Sequence, residues 1–554
     1  MSLNTKILVD IAKSNPNGPR REEGVTSLLV CALQSLNLSP VEICHPVEIC
    51  HPVERRGPCK QKCMYKININ HNSQKTMKLK NKNLFTEKCF INGKWVDKKE
   101  KIMVFNPSNQ SLIGKVPSLD KTDVKKAVDA AEKAMPQWAK LTGKERSKIL
   151  RDWYDLIIKN QDDLAVILTT EQGKPLEEAR GEIIYGASFV EWFAEEAKRI
   201  LGDVILAPKS DQKIITTLEP VGIVAAITPW NFPSAMITRK AAAALAAGCA
   251  VILKPSELTP FSALALAVLA RDAGIPDGIF NVLTGDAQII GAEFCENKKI
   301  RKLSFTGSTK IGKLISKQSA EDLKRMSLEL GGNAPFIVFA DANLDKAVAG
   351  LIHGKFRNAG QACTCVNRIL VEEKIYKKFL DKFLIEAKKL KVGDGFDKSS
   401  KLGPLISKAA LDKVERLVTN AIKLGAKCEI GGKKMKGTFY PVTVLSNTTH
   451  EMDLAKEEIF APVAAFYKFK TEEEAIELSN STIYGLGSYL YTNDNGKIWR
   501  VSSALKFGMV AVNNSSFATE VAPFGGIKHS GYGREGSHLG IEEFCQVKTI
   551  HLSY

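Results

Sequence analysis

From Val221 onward the chain alternates between short, continuously apolar runs and longer segments of helical period. Gly222-Ile-Val-Ala-Ala-Ile227 reads as a buried strand, and an Ala-rich helix opened by Pro233 and Ser234 follows it as far as Gly248. The pattern then predicts a strand over residues 250–253, a helix over 261–273 closed by Gly274, and a strand over 280–283. A helix from about residue 287, a strand over 302–305 and a helix from Thr309 to about Gln318 complete the run. Strands separated by helices at this spacing need crossover connections, hence a parallel sheet covered on both faces. Ligands on such sheets bind past the C-terminal strand ends. That directs attention to residues 228–233, 254–257, 284–285 and 306–309.

Upstream, residues 120–139 and 144–160 have amphipathic helical period, the first behind an Asp-Lys-Thr cap region. Helical pattern continues over 176–201, with Ala179, Ile183, Ala187, Val190 and Phe193 as its apolar stripe. Phe90-Ile-Asn-Gly-Lys-Trp95 predicts a strand and tight turn, and residues 213–218 have strand composition. A second α/β stretch is expected from Ala334 to about Gly525, with strands at 335–339 and 368–371 and a helix at 375–390.

Composition adds limits. A 554-residue chain with 44% hydrophobic and 25% charged residues is a soluble globular protein of two or three domains. Its longest apolar run, residues 241–253, is shorter than the ~20 residues of a membrane span, so no membrane role is expected. Of the net charge of +17, residues 1–82 carry +7, with 13 Lys and Arg against 6 Asp and Glu, and the remainder is spread over the rest of the chain. The rest carries no dense basic block with interleaved aromatics, so no nucleic-acid partner is expected. A small carboxylate substrate and a phosphorylated cofactor suit the positive charge equally well.

Residues 1–76 read differently. They contain the tandem hexapeptide Val41-Glu-Ile-Cys-His-Pro46 and Val47-Glu-Ile-Cys-His-Pro52, and a Lys/Asn/Gln-rich stretch after it. Neither supports a core, and a disordered extension outside the fold is expected. Cys59 and Cys63 with His45 and His51 can be drawn as a zinc site, but a duplicated hexapeptide in a tail accounts for them, and no metal is expected. Five of the 12 cysteines lie here and most others are scattered singly, which suits a reducing compartment. The cytoplasm is the expected location, with the mitochondrial matrix as the alternative.

Several positions at the strand ends carry chemistry. Pro229-Trp-Asn-Phe-Pro233 puts the Asn231 amide where it serves either as a turn cap or as a neutral donor to an oxyanion. Lys254-Pro-Ser-Glu257 offers ribose hydroxyls a cation and a carboxylate, and a carboxylate repels a 2′-phosphate. Phe305-Thr-Gly-Ser-Thr-Lys-Ile-Gly312 forms a strand–Gly–helix junction able to seat a pyrophosphate. Glu329 before Gly331 and Gly332 is either a turn residue or a general base. Cys363, with Arg357 upstream, is either a core thiol or a nucleophile.

Taken in order, Trp230-Asn231, Lys254-Pro-Ser-Glu257, Phe305-Thr-Gly-Ser308, Glu329-Leu-Gly-Gly332, Gly360-Gln-Ala-Cys363, Glu458-Ile-Phe460 and Pro523-Phe-Gly-Gly526 resemble the aldehyde dehydrogenase superfamily. The likeness runs from about Met77 to the C-terminus. It implies an α/β fold with a parallel-sheet dinucleotide domain (residues 77–201 and 221–331) and an α/β catalytic domain (332–544). A small β oligomerisation element (202–220 and 545–554) completes it and implies a homodimer or homotetramer. By resemblance Cys363 attacks the aldehyde, Asn231 holds the oxyanion and Glu329 activates the hydrolytic water. Thr228, Trp230, Lys254, Ser256, Glu257, Gly285, Gly307, Ser308, Glu458 and Phe460 would bind NAD, with NADP possible.

Within the superfamily, residues 354–368, Thr238-Arg-Lys240 and residues 191–198 look most like the succinate-semialdehyde dehydrogenases. That implies a substrate aldehyde with a distal carboxylate, clamped by Arg239 and Arg357; the serine that assists in some members falls at Ala518, a departure from the family pattern, or at a neighbour such as Ser516. Glutarate semialdehyde is the natural competitor. An aminoaldehyde, which the arginines would repel, and a non-catalytic binding relative are the remaining alternatives. Cys365 matches the second cysteine of members with a redox switch, which implies oxidative pairing with Cys363.

Overall fold

A computed structural model describes residues 77–554 except position 518. The hexapeptide repeat, the Cys59/Cys63 spacing, the expected disorder of residues 1–76 and the assignment of Ala518 lie outside the described residues.

Eight strands form the first sheet, in the order Gly531–Tyr532, Arg325–Glu329, Ile300–Thr306, Ile223–Ile227, Val251–Lys254, Phe280–Val282, Cys89–Ile91 and Lys94–Val96. The five from Arg325–Glu329 to Phe280–Val282 run parallel, as the alternation of apolar runs and helices predicts. Ile223–Ile227 is the first of these five in the chain and Ile300–Thr306 the fourth, yet the two are neighbours, with Ile227 beside Phe305. The connections therefore diverge here, and a crevice opens past the two C-terminal ends, the usual ligand position in a sheet of this kind. Thr228 and Gly307 are the first residues beyond those ends.

The helices start where their caps dictate. Asp120 and Asp123 form a capping box ahead of Lys121–Lys140, and Thr142 and Glu145 form another ahead of Gly143–Lys159. Ala235–Ala247 is buried along its entire length, Arg239 and Lys240 included, and Gly248 ends it at φ 95°. The helix beginning at Leu176 stops at Glu196 rather than near 201, because its apolar stripe gives way to Lys198 and Arg199, which pair back onto Glu195 and Glu196.

Seven strands form the second sheet, in the order Lys427–Ile430, Thr443–Ser446, Val463–Phe469, Val366–Glu372, Ala334–Val338, Gly487–Tyr491 and Met509–Val512. All but the first are parallel to their neighbours. A third, antiparallel sheet joins Cys545–Ser553, Gln212–Pro220 and Val204–Leu206, and a separate hairpin pairs Lys101–Phe105 with Leu112–Pro117. Among the described residues no helix is long and apolar enough to cross a membrane.

Candidate active site

Cys363 follows a backbone turn that few sequences adopt. Asn358, Ala359 and Gly360 all take left-handed conformations, at φ 51°, 53° and 75°. Two non-glycine residues in that region store strain, which their surroundings must offset. Glu178 accepts the Asn358 N–H at 2.8 Å, and Asn358 Nδ2 donates to the carbonyls of Asn231 (2.9 Å) and Gln361 (3.1 Å). Cys363 emerges half-buried against Leu486, Met509, Phe517 and Phe524. Gly332 lies beneath it, so close that a Cβ there would meet the Cys363 carbonyl oxygen at 2.3 Å.

Asn231 stands opposite. Its Nδ2 donates to the Gln361 carbonyl at 3.1 Å, and its own carbonyl accepts from Lys174 Nζ at 2.8 Å. Lys174 and Glu182 form an ion pair of 2.5 Å, both side chains 1% exposed. Glu182 also accepts the Ser234 N–H at 2.9 Å at the start of the next helix. The buried pair therefore holds both sides of the Asn231 loop, an arrangement in which each charge is compensated.

Glu329 ends its strand fully enclosed. Burial, reinforced by the negative charge of Glu535, holds its carboxyl well above the usual carboxylate range, while Arg239, Lys240 and Arg534 oppose the shift. Glu535 is itself buried but ionised, because Lys240 and Arg239 outweigh the cost of burial. It contacts Lys240 directly and lies 3.0 Å from Arg239 Nε. Burial, with Glu458 and Glu329 adding, pushes the Cys363 thiol up to about 12, and Arg239 is the main opposing charge. Cys363 thus rests as a thiol, and nucleophilic use of it would need a nearby base.

The two arginines meet around Tyr185. Arg239 Nη1 approaches the Tyr185 hydroxyl at 3.4 Å, and its guanidinium stacks over Phe524 at 4.1 Å. Arg357 lies over Phe232 and lines a cavity of about 440 Å³ together with Tyr185, His353, Lys401, Ser516 and the acidic Glu178 and Glu182; Cys363, Asn231, Glu329 and Arg239 are not on its wall. Arg239 is thus tied to Glu535 on one side, with Nη2 left over.

The expected cofactor residues cluster at the crevice. Lys254 Nζ pairs with Glu257 at 2.8 Å; burial works to raise the Glu257 carboxyl, but Lys254 brings it below its ordinary value. Ser256 accepts the Leu258 N–H at 3.2 Å. Ser308 caps the helix Thr309–Ser319, and Gly307 N–H donates to the Glu329 carbonyl at 3.0 Å. A Cβ at Gly285 would strike the Leu119 carbonyl oxygen at 2.7 Å, so packing alone requires glycine there. Glu458 accepts the Gly332 N–H at 2.9 Å, and burial pushes its carboxyl up to about 7. Phe460, held at φ 58°, packs edge-on to Trp230 with ring centroids 5.5 Å apart.

Buried polar atoms normally find partners. Among the described residues nineteen buried side-chain polar atoms have none, and five of them are Thr228 Oγ1, Thr306 Oγ1, Asn231 Oδ1, Glu329 Oε2 and Arg239 Nη2. They lie at the crevice mouth and around the nucleophile, so the residues present suit a polar ligand that reaches from the strand ends to Cys363. A dinucleotide with a small polar substrate has that form.

Glu535, Lys240, Lys174, Glu182, Glu178 and Tyr185 are functional neighbours that sequence reading did not assign. One signal was available: Arg239-Lys240 are two adjacent cations inside an otherwise apolar helix, which forces at least one to find a buried anion.

Comparison with known proteins agrees with this geometry. Residues 95–550 match the aldehyde dehydrogenase family. A glutarate-semialdehyde dehydrogenase of Pseudomonas putida is 51% identical over 479 residues, covering 86% of this chain and all of that protein. A succinate-semialdehyde dehydrogenase [NADP(+)] of Escherichia coli is 51% identical over 478 residues, covering 86% of this chain and 99% of its own. The crystal structure of an aldehyde dehydrogenase from Brucella melitensis biovar abortus superposes with a TM-score of 0.85 at 53% identity, over 86% of this chain and 99% of that one. With the family matched across most of the chain and the nucleophile, amide and carboxylate converging in the fold, this chain belongs to the aldehyde dehydrogenase family, the NAD(P)-dependent enzymes that oxidise aldehydes.

Proposed function

We propose that the chain oxidises succinate semialdehyde to succinate, as a cytoplasmic homo-oligomer with NAD as the preferred cofactor. The observation that carries this reading is the pair of guanidinium groups at Tyr185: Arg239 Nη1 meets the Tyr185 hydroxyl at 3.4 Å, and Arg357 lines, with Tyr185, a neighbouring cavity of about 440 Å³. A guanidinium fork matches a carboxylate in two hydrogen bonds, each charge-assisted bond contributing ~1.5–3 kcal/mol. The Pseudomonas putida relative of equal identity favours glutarate semialdehyde as the second reading. One methylene is separated by only ~1–3 kcal/mol in such a site, so both aldehydes fit the proposal in kind.

In this mechanism the Cys363 thiol loses its proton to the Glu329 carboxylate, directly or through a water, and the sulfur attacks the aldehyde carbon. The carbonyl π pair moves onto oxygen, where Asn231 Nδ2, turned from the Gln361 carbonyl, and the Cys363 N–H hold it. When bound, the nicotinamide supplies a hydride acceptor. Loss of hydride from the former aldehyde carbon leaves a thioester on Cys363. Glu329, having released the thiol proton to solvent, removes a proton from water as it attacks the thioester; the C–S bond breaks, that proton passes to the departing sulfur, and the acid leaves with the thiol restored. Thr228, Trp230, Lys254, Ser256, Glu257, Gly307, Ser308, Glu458 and Phe460 would hold the dinucleotide, and the Glu257 carboxylate disfavours a 2′-phosphate.

The dinucleotide domain would comprise residues 77–201 and 221–331, the catalytic domain 332–544, and the oligomerisation element 202–220 and 545–554. Val204, Leu206 and Val547 on that element are 73%, 95% and 66% exposed, an apolar surface suited to a second copy.

The test is the initial rate of reduced-cofactor formation with succinate semialdehyde, glutarate semialdehyde, acetaldehyde and an aminoaldehyde, each with NAD and with NADP. The semialdehydes with NAD should lead in kcat/KM. Equal rates with acetaldehyde or the aminoaldehyde would remove the arginine clamp from the account.

A further inference from the structure

Cys365, two residues past the nucleophile, turns away from it. Its neighbours are Phe232, Ala235, Met236 and Ala362, whereas Cys363 packs against Leu486, Met509 and Phe524. The group that meets the Cys365 sulfur is an amine. Lys355 occupies the last turn of the helix Leu344–Phe356, is fully buried, and places Nζ 3.2 Å from Cys365 Sγ. The amine also donates to the Val366 carbonyl at 2.8 Å, which fixes it beside the sulfur. A lysine without solvent contact, whose nearest side-chain partner is a thiol rather than a carboxylate, is an unusual use of a buried cation. Burial pushes the Cys365 thiol up, and Lys355 opposes it through its charge and hydrogen bond.

A small reagent can reach the sulfur. A cavity of about 20 Å³ is lined by Cys365, Ala362, Thr364 and His353, and Lys355 is not on its wall. That exceeds the ~10–15 Å³ needed for one water, which leaves a water-sized space beside the thiol. The nitrogen–sulfur separation also lies within the ~3–3.5 Å of reacting atoms poised for attack.

We propose that Lys355 and Cys365 form an oxidation site, in which hydrogen peroxide joins Nζ to Sγ covalently and ties the two ends of the nucleophile loop together. In the first step the Cys365 sulfur attacks one peroxide oxygen, the O–O bond breaks, and sulfenic acid and one water result. Lys355 first gives its ammonium proton to water, and the neutral amine then attacks the sulfur; the S–O bond breaks, and the departing oxygen leaves as a second water carrying the hydroxyl hydrogen and one from nitrogen. Overall a thiol, an amine and one peroxide give an S–N bond and two waters. The sulfur is oxidised by two electrons and the peroxide is reduced. A second peroxide would insert oxygen to give N–O–S, releasing one further water. The joined loop carries Arg357, Asn358, Gln361 and Cys363, so the modification acts on substrate clamp and nucleophile together. This inference is independent of which aldehyde the enzyme prefers.

The test is peptide mass spectrometry of the full-length protein after peroxide treatment, alkylated and digested with trypsin without reductant. Residues 347–357, uncleaved at Lys355, should appear joined to residues 358–368. The joined species should be two hydrogens lighter than the separate peptides, or heavier than that by one oxygen, and dithiothreitol should release it. The same species should form in Cys363→Ser and be absent in Lys355→Met, whose folding is checked by NADH binding. A disulfide between Cys363 and Cys365 inside peptide 358–368, with normal cleavage after Lys355, would overturn the proposal. So would Cys365 recovered reduced, or as sulfinic acid, from protein whose Cys363 has been fully oxidised.

Discussion

At the residue scale, the charge state of Glu329 is governed by groups distant from it in sequence. Glu535 shares Arg239 and Lys240 with it, so removing the Glu535 charge leaves two cations facing one carboxylate. Glu535→Gln therefore lowers the Glu329 pKa. Hydrolysis of the thioester needs Glu329 ionised, so the rising limb of kcat against pH should move to lower pH in the variant. An unmoved or more alkaline limb would separate the two carboxylates. Asn231→Ala should reduce kcat by about 10²–10³-fold, the usual cost of one oxyanion donor, with little change in NADH binding measured by fluorescence. Asn231, Glu329 and Cys363 were singled out in the sequence by the order of motifs that resembles a family; their places at strand ends and in turns alone left a cap, a turn residue and a core thiol open. Lys174, Glu182 and Glu535 were not legible, because their partners lie 8 to 295 positions away and only folding brings them together.

At the element scale, the strands at Ile223–Ile227, Val251–Lys254, Phe280–Val282 and Ile300–Thr306 fall within about two residues of the positions read from apolar runs. Buried parallel strands write a continuous signal. The hairpin Lys101–Phe105 with Leu112–Pro117 left none, since Val104 is the one residue of its first strand that is buried. Nor did Gly531–Tyr532, a two-residue strand defined only by its pairing with Leu328 and Glu329. That pairing seats Glu329, and Gly531 is required because a Cβ there, at φ 111°, would meet the Leu328 carbonyl oxygen at 1.9 Å. Gly332→Ala tests the same tight packing under Cys363: we expect a loss of ~1–3 kcal/mol in urea unfolding and a fall in kcat larger than any change in KM. Full activity in this variant would mean that the loop relaxes freely.

At the scale of the whole molecule, the antiparallel sheet ends in the strand Val204–Leu206, with apolar side chains open to water and an unpaired edge. Leu206→Glu should shift the mass measured by light scattering toward the monomer, and an unchanged oligomer would place the interface elsewhere. The net charge of +17 draws anionic substrate and cofactor alike, but it does not choose among aldehydes. In the proposed reading that choice falls to Arg357 at the cavity and to Arg239 beside Tyr185. The most direct measurement is kcat/KM for succinate semialdehyde and for butanal, its uncharged analogue, in the native enzyme and in Arg357→Gln. The account predicts that the native enzyme favours the semialdehyde and that the variant loses about 10–10²-fold on it while butanal is nearly unaffected. Equal losses on both substrates, or none on either, would contradict the assignment of this enzyme to carboxylate-bearing aldehydes.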